Sequence, residues 1–306
     1  MQLTARQFVL LAALTVAWGF NWPIMKLGVT DYPPLAFRAI SLWLGLPVLA
    51  IALAATKTPF KVARRDWPEL LLLAATNMFI WHACIIVAVK GLTSGRSAIL
   101  GYTMPVFSAV IGAVFFSAVL TRRAWLGVMA CALGVGLLLW HEFTHLSGRP
   151  EYVVLALVAA ATWALGTQLL RRTRIEARTL TLSFWMTALT AVVMTLLSMG
   201  FEMPQWHMPG SATWAGILYN AVLIFGFAHA AWFFLARGLP PVASTLSVML
   251  IPVLGVFSGA ILLGEKVYWQ DWTAIVLMVA SIASVLWPAR EGMPSPQDTG
   301  AARAEG

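Results

Sequence analysis

Apolar residues along this chain neither alternate with polar ones nor recur on one helical face. They come in blocks of about 20 residues separated by short polar joints. A helix rises 1.5 Å per residue, so such a block matches the thickness of a membrane's hydrocarbon core. Ten blocks qualify, over residues 7–28, 34–55, 67–89, 93–118, 123–140, 151–171, 179–200, 211–234, 240–262 and 271–288. The stretch 289–306 is rich in Pro, Gly, Ala and polar residues, has nothing to bury, and is expected to be a disordered tail. Arg6 before the first block invites comparison with a secretory leader. Trp18, Asn21, Trp22 and Pro23 interrupt the block, however, and no small-residue cleavage site precedes Lys26, so it reads as a retained helix.

The pattern also repeats. Shifting the chain by 147 positions aligns Trp67 with Trp214, His82 with His229, Pro105-Val106 with Pro252-Val253, Gly112 with Gly259, Trp125 with Trp272 and Trp140 with Trp287. Leu and Ala matches arise by composition alone, but three Trp pairs, a His pair and a Pro pair in one ungapped register indicate duplication. The predicted organisation is a five-helix repeat at 7–140, a linker at 141–150, and a second at 151–288. An odd number of spans per repeat inverts the second copy in the bilayer. The expected fold is therefore an all-α integral membrane protein of ten transmembrane helices in two inverted five-helix repeats, an architecture of secondary transporters.

Composition removes the soluble alternatives. Of 306 residues, 60% are hydrophobic and only 10% are charged, against roughly 25% charged in a soluble domain. A net charge of +8 would fit nucleic acid if it formed one face, but the basic residues sit in joints between apolar blocks. Placing the N-terminus in the cytoplasm puts 14 Lys and Arg residues inside and five outside, with Arg38 in the second block. That asymmetry predicts a bacterial inner-membrane protein with both termini cytoplasmic. Cys84 and Cys131 fall in apolar blocks and give no disulfide framework.

Ala17-Trp18-Gly19-Phe20-Asn21-Trp22 in the first block, Arg38 in the second, Pro105 and Pro252 in the fourth and ninth, and Leu263-Gly264-Glu265 closing the ninth resemble the EamA-type family of the drug/metabolite transporter superfamily. The resemblance spans nearly the whole chain. It implies a ten-helix metabolite exporter with a central cavity lined by helices one, three, four, six, eight and nine. The abundance of Trp is similar in character to aromatic amino acid exporters. Ser117-Ala118 stands where the second half has Gly264-Glu265, a departure from the family pattern in the first half.

Polar groups are costly inside a span, which makes them candidates for function. His82, with Asn77, Met78 and Trp81 near it on the helix, and its repeat mate His229 are the sharpest; the competing reading is a pair of interhelical hydrogen-bonding histidines. Trp18, Trp81, Trp163, Trp185 and Tyr102 lie away from the interface positions usual for aromatic anchors, and with Asn21 they are candidate substrate-binding residues, packing being the alternative. Pro105 and Pro252, each removing a helical hydrogen bond, and Gly91 and Gly238, in very short joints, are candidate hinge or gate positions.

One motif competes. His141-Glu142-Phe143-Thr144-His145 has the H-E-x-x-H spacing of a zinc metalloprotease. It ends the fifth block, Gly148, Arg149 and Pro150 follow, and no intramembrane Asp is available as a further ligand, so a membrane metalloprotease is a remote alternative. The expected protein is not an enzyme, needs no cofactor or metal, and acts as a monomer or weak dimer. Its partners are the lipid bilayer and a small-molecule substrate, with no nucleic acid. The expected function is alternating-access export of small amphipathic metabolites, foremost aromatic and other neutral amino acids; nucleosides, other metabolites or drugs are the alternative. With no carboxylate secure in a span interior, facilitated transport is expected ahead of proton coupling through His82 or His229.

Overall fold

The structure is a computed structural model describing residues 5–117, 119–144, 150–238 and 241–286. Among the described residues every regular element is helical. α1 (Ala5–Thr30) and α2 (Pro34–Ala55) are followed by α3 (Trp67–Ala74), which runs through a π-helical segment, Ala75–Phe79, into α4 (Ile80–Gly91). α5 (Ser94–Gly101) and α6 (Met104–Phe116) share one apolar block, and α7 (Arg122–Thr144) completes the first half. The second half holds α8 (Pro150–Arg172), α9 (Thr179–Phe201), α10 (Ser211–Tyr219), a longer π-helical segment Asn220–Ala228, α11 (His229–Gly238), α12 (Pro241–Leu263) and α13 (Trp269–Leu286).

Seven stretches of the described chain are long and apolar enough to cross a membrane: Phe8–Thr30, Pro34–Ala55, Arg64–Gly91, Ser94–Phe116, Pro150–Arg172, Thr179–Phe201 and Ser211–Leu235. The other three expected blocks are helical too, as α7, α12 and α13. The surface fits lipid rather than water: Ile51, Leu126, Ile261 and Val276 are each at least 66% exposed, while Arg38, Asn77, Thr103 and Asn220 are buried. Hydrocarbon accepts apolar side chains at no cost, and polar groups must find partners inside the protein.

The closest packing crosses between halves. α1 lies along α12, α2 along α9, α4 along α8 and α7 along α13. Helix ends are tied in the same way, because the first N–H groups and last carbonyls of a helix lack internal partners. Glu202, just after α9, accepts from Leu35 N at 2.9 Å and Ala36 N at 2.8 Å at the start of α2. Glu265, just after α12, accepts from Ser94 N at 2.7 Å, Ser94 Oγ at 2.8 Å and Gly95 N at 3.2 Å at the start of α5. Lys26 Nζ donates to the carbonyls of Val89 and Lys90 at the end of α4. Arg96 Nε meets Asp271 Oδ1 at 2.8 Å with both side chains under 10% exposed, joining α5 to α13.

The two prolines aligned by the repeat behave differently. Pro105 sits in the first turn of α6 after a break at Tyr102-Thr103, whereas α12 runs continuously through Pro252. The expected interruption of both helices is thus seen at Pro105 alone. A lone proline deletes one backbone bond, which bends a helix without ending it. The caps that follow do match: Ser117 and Gly264, 147 positions apart, are both left-handed, with φ of 54° and 64°. α7 continues to Thr144, but the His141-Glu142-x-x-His145 side chains, linker residues 145–149 and tail 289–306 lie outside the described residues.

Removing one member of a buried ion pair strands the other, while removing both charges costs far less. Arg96→Met should therefore lower stability by about 3 kcal/mol, and Arg96→Met combined with Asp271→Asn by less. Thermal unfolding in detergent measures both; a double variant less stable than the single would refute the pairing.

Candidate functional site

Between the two halves lies a cavity with about 540 Å³ of space between its walls, part of it open to the surroundings. α1 lines it with Trp18, Asn21, Trp22 and Met25, whose spacing of three, four and seven residues puts them on one helical face. α4 adds Trp81, His82 and Ile85, the break between α5 and α6 adds Tyr102, the start of α6 adds Met104, and α2 adds Arg38. From the second half come Trp163 of α8, Ile224 of the π-helical segment, and His229 and Trp232 of α11.

Rings form most of the wall. Trp163 is central, at 5.2 Å from Trp81, 5.6 Å from His229 and 6.3 Å, edge to face, from Trp18. Trp18 in turn lies 5.5 Å from Trp232. Trp22 packs against Gly101, where a Cβ would come within 2.7 Å of its ring, and meets Tyr102 at 6.2 Å. Ring separations in this range are favourable beyond the area they bury.

The two histidines of the repeat register do meet, with ring centroids 5.1 Å apart and Phe225 against both. They are not equivalent. His229 Nδ1 lies 2.9 Å from Ile224 O; a carbonyl only accepts, so this nitrogen carries the proton. His82 is buried and neither of its nitrogens has a hydrogen-bond partner among the described residues. The reading of two histidines satisfied between helices thus describes neither: His229 bonds within its own helix and His82 has no such bond. A π-helical segment immediately precedes each histidine, and such segments recur at functional sites.

Of the expected substrate-binding residues, Trp18, Asn21, Trp81, His82, Tyr102, Trp163 and His229 line the cavity. Asn77, Met78 and Trp185 do not. Asn77 is buried against Gly166 of α8 and donates through Nδ2 to Leu73 O at 3.2 Å, and Met78 is fully buried beside it in the chain. Trp185 is six residues into α9; its Nε1 donates to Phe60 O at 2.7 Å and its ring meets Trp67 at 5.2 Å. Among the gate candidates, Gly91 ends α4 against the Tyr152 ring, and α11 ends at Gly238, with 239–240 outside the described residues.

Arg38, Trp22, Met25 and Trp232 were not among the expected binding residues. Arg38 had a visible signal, as a basic residue inside an apolar block and one of the residues that carry the family resemblance. Its guanidinium is 1% exposed, with Nη1 2.9 Å from Asn220 Oδ1, Nη2 2.8 Å from Met25 Sδ, and its charge 5.4 Å from the Phe225 ring centre.

Comparison with known proteins agrees with this architecture. The profile of the EamA-like transporter family matches residues 6–140 and again 151–287. The chain belongs to the EamA-like transporter family. It is a multi-pass membrane protein of a family of metabolite transporters. Similar proteins include the uncharacterized inner membrane transporter YedA of Escherichia coli (strain K12), 26% identical over 92% of this chain and 93% of YedA. A probable amino-acid metabolite efflux pump of Salmonella typhimurium is 27% identical over 88% of this chain and 91% of its own. A solved crystal structure, titled only as that of a protein, shares the fold at 19% identity with a TM-score of 0.69, covering 92% of this EamA-like chain and 97% of its own.

Because Trp163 holds the cavity wall and Trp185 a loop carbonyl and the Trp67 ring away from it, their substitutions should separate. Trp185→Phe should cost about 1 kcal/mol, the worth of one hydrogen bond, and leave transport intact. Trp163→Ala should cost about 3–5 kcal/mol and abolish transport, with Trp163→Phe keeping most of the stability. Detergent melting and proteoliposome uptake read both; loss of transport in Trp185→Phe would contradict this division.

Proposed function

We propose that this chain is an alternating-access secondary transporter that exports small amphipathic metabolites, foremost aromatic and other neutral amino acids, across a bacterial inner membrane. The observation that carries the reading is the ring-walled cavity to which both halves contribute, with a few buried polar groups converging on it. Its mixed lining suits a solute with one apolar ring and a small polar end. The Salmonella relative named as an amino-acid metabolite efflux pump supports the substrate class.

In this reading all ten helices cross the bilayer as two inverted repeats, 7–140 and 151–288, and both termini are cytoplasmic. The twofold match of the family profile, the paired π-helical segments before His82 and His229, and the paired left-handed caps at Ser117 and Gly264 all favour it. The contacts of Lys26, Glu202, Glu265 and Arg96 then fall at the outer ends of their helices, so the conformation is closed outward. The Gly91 and Gly238 joints serve as outer and inner gates, and the bends at Pro105 and Pro252 let helices move between states. Facilitated movement down a gradient is the first expectation for energy coupling, with no carboxylate among the cavity residues. Nucleosides, other metabolites or drugs are the alternative cargo.

Proteoliposome uptake of labelled Phe, Trp, Leu, Thr and a nucleoside tests the proposal. Saturable uptake that favours Phe or Trp and is lost in a His82→Ala, Trp163→Ala variant is the expected result. Uptake of the nucleoside alone would replace the amino acid reading with its alternative.

A further inference from the structure

Arg38 is a fixed positive charge in the wall of the cavity, in the interior of a helix bundle where charge is expensive. Its contacts among the described residues are neutral: an amide oxygen from Asn220, the thioether of Met25 and the face of Phe225. Among the described residues no carboxylate forms an ion pair with it, and no Asp or Glu lines the cavity. The other buried arginine among the described residues, Arg96, is treated otherwise, with Asp271 at 2.8 Å.

The rest of the wall is biased the same way. Among the described residues Arg38 Nε, Trp163 Nε1 and Trp232 Nε1 are buried N–H donors with no hydrogen-bond partner, and the unpartnered imidazole of His82, when neutral, offers one donor and one acceptor. Asn21 Oδ1 is the one unpartnered buried oxygen of the lining. A cavity lining whose unpartnered groups are richer in donors than acceptors, with an uncompensated guanidinium in the same wall, is arranged for an oxyanion.

Resting on the transporter reading above, we infer that Arg38 anchors the acidic group of the substrate. The cargo is an amphipathic carboxylate: its apolar ring lies among the tryptophans, and its carboxylate supplies the counter-charge the protein omits. The carboxylate, rather than an ammonium group, is the recognised feature. An amino acid and the same molecule without its amine both satisfy the site, while an amide or amine analogue leaves Arg38 unpaired. Asn220, which holds Nη1, is a positioning residue: a carboxylate in its place would neutralise the anchor from within.

Calorimetric titration of the purified full chain with L-phenylalanine, 3-phenylpropionate, L-phenylalaninamide and phenethylamine tests this. Both acids are expected to bind, the amide and amine at least tenfold more weakly. Asn220→Asp should weaken both acids at least tenfold while keeping the melting temperature, and Arg38→Gln should do the same to binding, with Arg38→Lys retaining part. Asn220→Asp is the decisive variant because it neutralises the anchor without emptying the space beside it. Equal binding of all four probes, or acid binding unchanged in Asn220→Asp, overturns the anchor and leaves the ring-walled site standing. Binding of none of the four overturns the anchor together with the aromatic reading.

Discussion

Inside a bilayer no water is available to satisfy a polar group, and every feature of this fold answers to that constraint. Side chains that a soluble protein would bury face outward, and the interior collects Arg38, Asn77, Asn220, His82 and His229. The helix ends obey the same rule. Leu35 and Ala36 at the start of α2 would have orphaned N–H groups, and so would Ser94 and Gly95 at the start of α5; in each case a glutamate from the other half accepts them. Backbone satisfaction thus joins the two halves, through residues more than 160 positions apart in sequence.

The π-helical segments show how a small change in backbone geometry fixes the chemistry of the cavity. One added residue in a helical turn rotates everything after it by about 100°. Without the segment Ala75–Phe79, the face of α4 bearing Trp81, His82 and Ile85 would point elsewhere relative to α3. In the second half the segment Asn220–Ala228 brings Ile224 O to both the backbone N–H and the ring of His229. It also carries Asn220, which orients Arg38, and Phe225, which packs on both histidines. Two helices thereby present buried polar groups to one cavity while their outer faces stay apolar.

Much of the fold was legible because hydrocarbon thickness dictates block length. The blocks read at 34–55 and 179–200 are Pro34–Ala55 and Thr179–Phe201. The repeat register picked out His82 and His229 as partners, and their rings meet. What the pattern could not supply was the face each helix turns inward, since lipid-facing and core-facing positions are equally apolar. Asn77 and His82 looked alike in sequence, yet one packs against Gly166 and the other lines the cavity. Trp185 seemed deep, but sits six residues into α9 within reach of the Phe60 carbonyl. Pro105 and Pro252 match in register but not in effect, because the chain around Tyr102 leaves the helix and that around Pro252 does not.

In the proposed closed-outward state, the contacts that tie the outer helix ends together are weak enough to exchange. A side-chain cap on a helix N-terminus is worth about 0.5–2 kcal/mol, so the Glu202 and Glu265 caps, with the Lys26 contacts to two carbonyls, amount to a few kcal/mol in all. A substrate can shift a conformational equilibrium only by its differential affinity for the two states. A barrier of this size lies within reach of one charge-assisted contact formed or broken at Arg38. The Arg96–Asp271 pair is a different kind of contact: both groups are desolvated, and separating them would strand two buried charges. In the proposed cycle α5 and α13 therefore move together, while the contacts between α9 and α2, between α12 and α5 and between α1 and α4, held by Glu202, Glu265 and Lys26, are where the outer end opens.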